Sequence, residues 1–302
     1  MAKPKLGLVG AMSTALFSPV YNLFAGGADA GGARPGDDGD DDDDALAVEC
    51  SAEEEAALPD EGELAVAAAP QAADEPEDDE EDFDPYLFIS NLPPLHACVM
   101  PGRPPVLPRK SRRSPRNTLV LDLDETLVHS TLEALAASDF SFHVSVNETL
   151  HVVHVRRRPH LQAFMERVGA LFEVVIFTAS QRVYAEQLLD IIDPGSRHIR
   201  HRIFRDSCVF VDGNYLKDLT VLGRDLARTI IVDNSPQAFG FQLENGIPIE
   251  SWFDDPEDRE LAGLLPFLER LADVDDVRPL IAAEFGLADR VRRAAAAFSA
   301  GA

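Results

Sequence analysis

Cysteine is scarce in this chain: Cys50, Cys98 and Cys208 are its only three in 302 residues, and no C-x-x-C occurs. That argues against a disulfide framework and a cysteine-built zinc site, and it fits a reducing compartment. No apolar run makes a convincing membrane span. The nearest, residues 6–28, is uncharged and follows Lys3 and Lys5, but Pro19 and Asn22 break it and Gly, Ala and Ser dilute it. Two readings stay open for residues 1–28. One is a cleaved targeting peptide, since the first acid is Asp29; the other is a short apolar recognition motif, F-S-P-V-Y-N-L-F at 17–24.

Positive charge is nearly missing from residues 29–84, where 24 Asp and Glu face the single Arg34. This arm carries −23 of the chain's net charge of −26, so the rest of the protein is only mildly acidic. Like charges repel, and few large apolar groups offset the ordering entropy, so a disordered arm is expected before the folded part. Its simplest role is a solvated spacer, and a basic partner is the alternative. Residues 85–116 read as a Pro-rich and basic linker. Within it, R-P-P-V-L-P-R-K-S-R-R-S-P-R (103–116) holds six basic residues in 14. It could serve as a nuclear address, an anion contact or a dock for the acidic arm.

From Asn117 the composition becomes globular. Aliphatic runs predict strands over 117–123, 172–178 and 229–233, with shorter ones within 201–216 and at 247–251. Segments 140–146 and 150–156 around N-E-T predict a hairpin. Apolar spacing with start and stop signals predicts helices over 159–169, 182–192 and 257–272, and residues 281–302 read as a helical tail. Strands alternating with helices predict an α/β fold with a largely parallel sheet.

In such a sheet, ligands bind outside the carboxyl ends of the strands. Three apolar strands here end in polar residues: L-V-L-D-L-D in Asp122 and Asp124, V-V-I-F-T-A-S in Thr178, and I-I-V-D-N-S in Asp233 and Asn234. Brought side by side, they form a spot with three carboxylates, a hydroxyl and an amide. Clustered carboxylates need a cation, and hard oxygen donors without His or Cys select Mg²⁺, which keeps waters and shares phosphate oxygens. One carboxylate can attack phosphorus, and a second, two residues on, can protonate the leaving oxygen and then activate water. Thr178 and Lys217, the latter from Y-L-K-D-L, can steady the phosphoryl charge.

D-L-D-E-T at 122–126 is the D-x-D-x-T signature of the haloacid dehalogenase (HAD) superfamily of phosphotransferases. F-T-A-S, R-D-S-C-V-F, G-N-Y-L-K-D-L, L-G-R-D-L, V-D-N-S-P and P-I-E-S-W-F follow in order. Together they resemble the small phosphatases that act on the C-terminal domain (CTD) of RNA polymerase II, particularly the branch of CTD small phosphatase-like protein 2. The resemblance runs over residues 117–278. It implies a HAD-like three-layer domain at 117–280, with a small hairpin insertion and no large cap. It implies a Mg²⁺-dependent phosphoserine/phosphothreonine protein phosphatase working through an aspartyl phosphate, with RNA polymerase II as a candidate substrate.

By position, Asp122 would be the nucleophile and Asp124 the general acid and base. Thr178 and Lys217 would stabilise the phosphoryl group. Mg²⁺ would sit on the Asp122 carboxylate, the Asp124 backbone carbonyl and the Asn234 amide oxygen, with Asp233 in the outer shell near Lys217. Arg205 would meet a second acidic group of the peptide. Leu132, Val144, Val146 and Val153 could line an apolar pocket for a proline, although Gln181 stands where some relatives are apolar. The expected protein is nuclear or, if residues 1–28 are a targeting peptide, organellar. It would be monomeric, with a phosphoprotein partner and no need for nucleic acid.

Blander readings accompany each choice. Thr126 would bond the loop backbone, Glu125 would point away or cap locally, and His129 would be a packed loop histidine. Cys208 lacks a C-x5-R and reads as a small buried residue, and Trp252 as core. Two other functions stay open: a small-molecule phosphatase of the same superfamily, which a mobile cap would mark, and a non-catalytic binding protein on this fold, which would be free to lose the acidic signature.

Overall fold

The structure, a computed structural model, describes residues 83–135 and 137–301. The segment 1–28, nearly all of the acidic arm and Cys50 lie outside the described residues.

The elements run α1 (Pro85–Ser90), α2 (Leu95–Cys98), β1 (Thr118–Leu121), β2 (Val128–Thr131), β3 (Phe140–Val146), β4 (Thr149–Arg157) and α3 (Leu161–Leu171). They continue with β5 (Glu173–Phe177), α4 (Arg182–Ile192), β6 (Ile199–Ile203), β7 (Val209–Val211), β8 (Asn214–Leu216) and β9 (Thr229–Asp233). The chain closes with β10 (Gly246–Pro248), α5 (Glu260–Leu271), α6 (Arg278–Phe285) and α7 (Leu287–Gly301).

Five strands form one parallel sheet in the order β10-β9-β1-β5-β6. Strands covered on both faces read as unbroken aliphatic runs, and every residue of β1, β5 and β9 is buried. Successive side chains alternate between faces. Leu119, Leu121, Val174, Ile176, Ile230 and Val232 enter one core, with α3, α4 and α5. Val120, Val175, Phe177 and Ile231 enter a second, with Leu219, Leu222 and Phe239. Each such side chain contributes about 1.5–3 kcal/mol when fully buried, so the central strands are rigid supports for whatever follows them.

Two smaller sheets attach to this frame. After β1 the chain makes an antiparallel sheet of order β2-β4-β3, and the hairpin β7–β8 precedes β9. The 128–157 sheet is larger than the hairpin expected at 140–156, because β2 joins it through pairs such as Ser130 with Val155. Its turn, Asn147 and Glu148, takes φ of 48° and 64°, the left-handed pair that a two-residue hairpin requires.

Helix α3 runs to Leu171, past the stop expected at Gly169. That glycine serves close packing instead: a Cβ there would stand 3.0 Å from His198 Nδ1. The segment 85–116, expected as a linker, lies against the domain. Leu107 packs into the second core, and Phe88, Leu92, Cys98 and Val99 cover the inner face of β7–β8. These partners lie about a hundred residues away in sequence, which local patterning cannot reveal. Among the described residues no helix is long and apolar enough to cross a membrane.

Candidate active site

Strand register places the site. Leu121 of β1 pairs with Ile176 of β5 and Val232 of β9, so Asp122, Thr178 and Asp233 leave three adjacent strands at one edge. The sheet turns both ways from β1, which makes this edge a natural crevice. Asp122 N donates to Val232 O at 3.0 Å and Thr178 N to Ile203 O at 3.0 Å, extending the ladder to the candidate residues themselves.

Lys217 comes in from the end of β8. Its ammonium, 2% exposed, contacts Asp122 Oδ1 and lies 2.6 Å from Asp233 Oδ2. Burial works against its charge, but Asp122 and Asp233 more than offset this and hold its pKa above the ordinary lysine value. Thr126 Oγ1 donates toward Asp122 Oδ2 at 2.9 Å and stands 3.3 Å from Asn234 Oδ1. Thr126 therefore serves the Asp122 carboxylate rather than only the loop backbone. Asn234 Nδ2 donates to Ser251 Oγ at 2.9 Å, which turns the amide oxygen to the Asp122 side.

Asp124 is held by three hydroxyls. Tyr184 OH lies 2.6 Å from its Oδ1, and Ser180 Oγ and Thr178 Oγ1 lie 2.7 and 3.3 Å from its Oδ2. Burial pushes the Asp124 pKa up, the three hydroxyls pull it back, and the nearby Asp122 charge pushes it up again; the net direction is upward. Burial also raises Asp233, against the pull of Lys217. Four carboxylates, Asp122, Asp124, Glu125 and Asp233, line this cleft with one ammonium, Lys217.

Glu125 does not point away to solvent. It is buried at φ 56°, a backbone state that costs a non-glycine residue about 1 kcal/mol or more. Two backbone bonds hold it there: its N–H donates to Val128 O, and its carbonyl accepts from Trp252 N. Its carboxyl meets His129 Nδ1 at 3.2 Å. Burial and the Asp124 and Asp122 charges push Glu125 well up, and burial with Arg156 pushes His129 down, so both are driven toward their neutral forms. His129 also packs edge-on against Phe253.

Arg205 sits beside the cleft, half-buried, with Nε donating to Ala179 O at 2.5 Å. Leu132, Val144, Val146 and Val153 do gather in the main core, but Val144 and Val153 are fully covered, and only Leu132 and Val146 keep exposed surface. Burial pushes the Cys208 thiol up to about 12, which leaves it unreactive. Trp252 is buried, with Nε1 donating to Asp255 O.

Two supports escaped the sequence reading. Tyr184 carries no motif of its own within the 182–192 helix, yet its hydroxyl reaches Asp124. Arg158 is buried, forks onto Asp258 with two 2.8 Å bonds, and donates from Nη1 to Thr126 O at 3.0 Å. It thereby pins the D-L-D-E-T loop. R-R-R before Pro159 gave no signal as to which arginine turns inward.

The donor set suits a hard cation. Among the described residues no three His, Cys, Asp or Glu side chains gather at metal-binding distance. A cation here would rest on few side chains, with backbone oxygen and water completing the shell, which is how Mg²⁺ is usually held.

The family model of NLI interacting factor-like phosphatases matches residues 117–278. CTD small phosphatase-like protein 2 of Dictyostelium discoideum is 54% identical over 214 residues, 70% of this chain and 37% of that protein. CTD small phosphatase-like protein 3 of Caenorhabditis elegans is 50% identical over 211 residues, covering 70% and 73%. The human carboxy-terminal domain RNA polymerase II polypeptide A small phosphatase 1 is 48% identical over 168 residues, covering 56% and 64%. The match thus spans from about a third to three-quarters of the length of these relatives.

Proposed function

This chain belongs to the NLI interacting factor-like phosphatases, and on that footing we propose that it is a Mg²⁺-dependent protein phosphatase acting on phosphoserine and phosphothreonine through a phosphorylated Asp122. One observation carries the reading: Asp122, Lys217 and Asp233 meet in a buried cluster at the carboxyl edge of the sheet, with Asp124 beside them.

An Asp122 oxygen attacks phosphorus; its bond to phosphorus forms as the bond to the serine oxygen breaks. Lys217 and Thr126, one on each carboxylate oxygen, fix the nucleophile's orientation. Asp124 gives a proton to the departing serine oxygen. It then takes one from the water that displaces Asp122 from phosphorus, so both carboxylates return to their starting state. The raised pKa of Asp124 favours this role, because the group can carry a proton closer to neutral pH. Thr178 and Lys217 supply a hydroxyl and a positive charge to the transferred group.

Asp122, the Asp124 backbone carbonyl and Asn234 Oδ1 would hold Mg²⁺, with Asp233 behind Lys217. Bound there, the cation would neutralise phosphoryl charge. Between β1 and β5 the described chain carries the 128–157 sheet and the crossover helix α3, with no large cap, which supports an open site for a protein segment rather than a capped one for a small ester. Arg205 would take a second acidic group of the peptide, and Leu132 and Val146 are the apolar residues with surface to offer a proline. The relatives named for the RNA polymerase II C-terminal domain make that domain the first candidate substrate and the nucleus the first candidate compartment.

Asp122→Asn should lower kcat on a phosphoserine peptide by about 10⁴-fold or more with the fold intact by circular dichroism. Turnover within tenfold of wild type would sink the mechanism.

A further inference from the structure

The hairpin β7–β8 has two unlike faces. Val209, Val211 and Leu216 point inward and are packed by Phe88, Leu92, Val99 and Phe241. Phe210 and Tyr215 pair in register on the outward face, with ring centroids 4.9 Å apart. Phe210 is 62% exposed. The Arg205 guanidinium lies 5.0 Å from the Tyr215 ring centroid. A single exposed phenylalanine needs no explanation, but this one extends a surface that already belongs to the site. Tyr215 lines the same cleft as Asp122 and Asp124, and the strand carrying it delivers Lys217.

We infer that the Phe210–Tyr215 face is a substrate subsite, taking an apolar ring of proline or an aromatic residue from the peptide segment that flanks the phosphorylated residue. This rests on the phosphatase reading above. Position argues for a substrate segment: a chain entering the cleft with its phosphate at Asp122 has the aromatic face at the cleft wall. Chemistry argues for a ring. Aromatic side chains stack well with flat apolar groups, whereas a lysine or arginine would meet the like charge of Arg205. Rigidity adds to this, because the packed inner face leaves little ordering cost on binding.

The test compares the full chain with Phe210→Ala and Phe210→Tyr. Substrates are phosphoserine hexapeptides bearing Pro, Tyr, Gly or Lys at each flanking position in turn, with para-nitrophenyl phosphate as a reference too small to span both places. At one flanking position the wild type should prefer Pro or Tyr over Gly by about 3- to 10-fold in kcat/KM, mainly through KM. Phe210→Ala should lose that preference, so that its peptide-to-small-ester ratio falls by the same factor, and Phe210→Tyr should keep it. Equal preferences in wild type and Phe210→Ala would overturn the inference and leave the phosphatase reading standing. No phosphate release from any substrate by the wild type would overturn both.

Discussion

The two ends of the parallel sheet treat buried charge in opposite ways. At the amino end stands Glu173, at the start of β5, 2% exposed and surrounded by positive charge. Arg224 grips it with two 2.9 Å bonds, Lys110 Nζ lies 3.2 Å away, His201 Nε2 3.4 Å, and Thr118 Oγ1 donates at 2.8 Å. Burial opposes its ionisation, yet Arg224, Thr118 and Lys110 prevail and hold its pKa down at about 2. At the carboxyl end four carboxylates share one ammonium, and burial with mutual repulsion pushes Asp124 and Glu125 up. The same strands therefore carry a saturated ion cluster at one edge and a site short of positive charge at the other. The first holds the fold; the second, on the proposed reading, would take a cation and a phosphoryl group.

Substitutions should separate the two ends. Lys217→Met is the case in which both functions fail together. It strands Asp122 and Asp233 without their shared cation, which should cost about 3–5 kcal/mol of stability and about 10³-fold in kcat. Chemical denaturation and phosphopeptide turnover read the two losses, and a variant that kept either at wild-type level would break the comparison.

Glu173→Gln should cost about 3 kcal/mol through the broken buried pair, while kcat/KM stays within about twofold by additivity of distant sites. Its pH dependence sharpens the point. A carboxylate held at about 2 when folded, against about 4.5 unfolded, stabilises fully above the unfolded value. That stability is lost as pH falls from about 4.5 toward 2, so the gap between wild type and Glu173→Gln should close over this window. A gap independent of pH would deny Glu173 its charge-paired role.

The smallest effect concerns the support of the lysine. Phe88→Ala removes packing behind β7–β8 and should cost about 2 kcal/mol, less than for a fully buried ring. It should also lower kcat about 3-fold by loosening Lys217. Stability loss with unchanged kcat would show that the hairpin holds its place without that buttress.

The carboxyl edge was largely legible in the sequence because its signals are local. Asp122, Asp124, Thr178, Asp233 and Asn234 each end a strand recognisable from its own aliphatic run, and strand neighbours share an edge. Lys217 rested on its surrounding motif, and the fold brings it to Asp122. What stayed hidden depends on distant partners. Glu125 was expected to point away or cap locally, but it is buried, with its carbonyl accepting from Trp252 N and its carboxyl against His129. Tyr184 carries a hydroxyl whose target, Asp124, lies sixty residues earlier. The 85–116 segment looks like a linker because it is rich in proline and basic residues, and its packing partners follow far later in the chain. The amino-end cluster was silent for the same reason: Lys110, Glu173, His201 and Arg224 come from four separate stretches.

On the proposed reading the carboxyl edge takes a cation, and binding tests this without an assay of turnover. Thermal unfolding of wild type, Asp122→Asn and Glu173→Gln should be followed with and without Mg²⁺. At about a hundred times its Kd, Mg²⁺ should raise the wild-type Tm by about 5–10 °C. Glu173→Gln should show the same shift from a lower starting Tm, and Asp122→Asn should show little. An equal Mg²⁺ shift in Asp122→Asn and wild type, or none in wild type, would contradict the account.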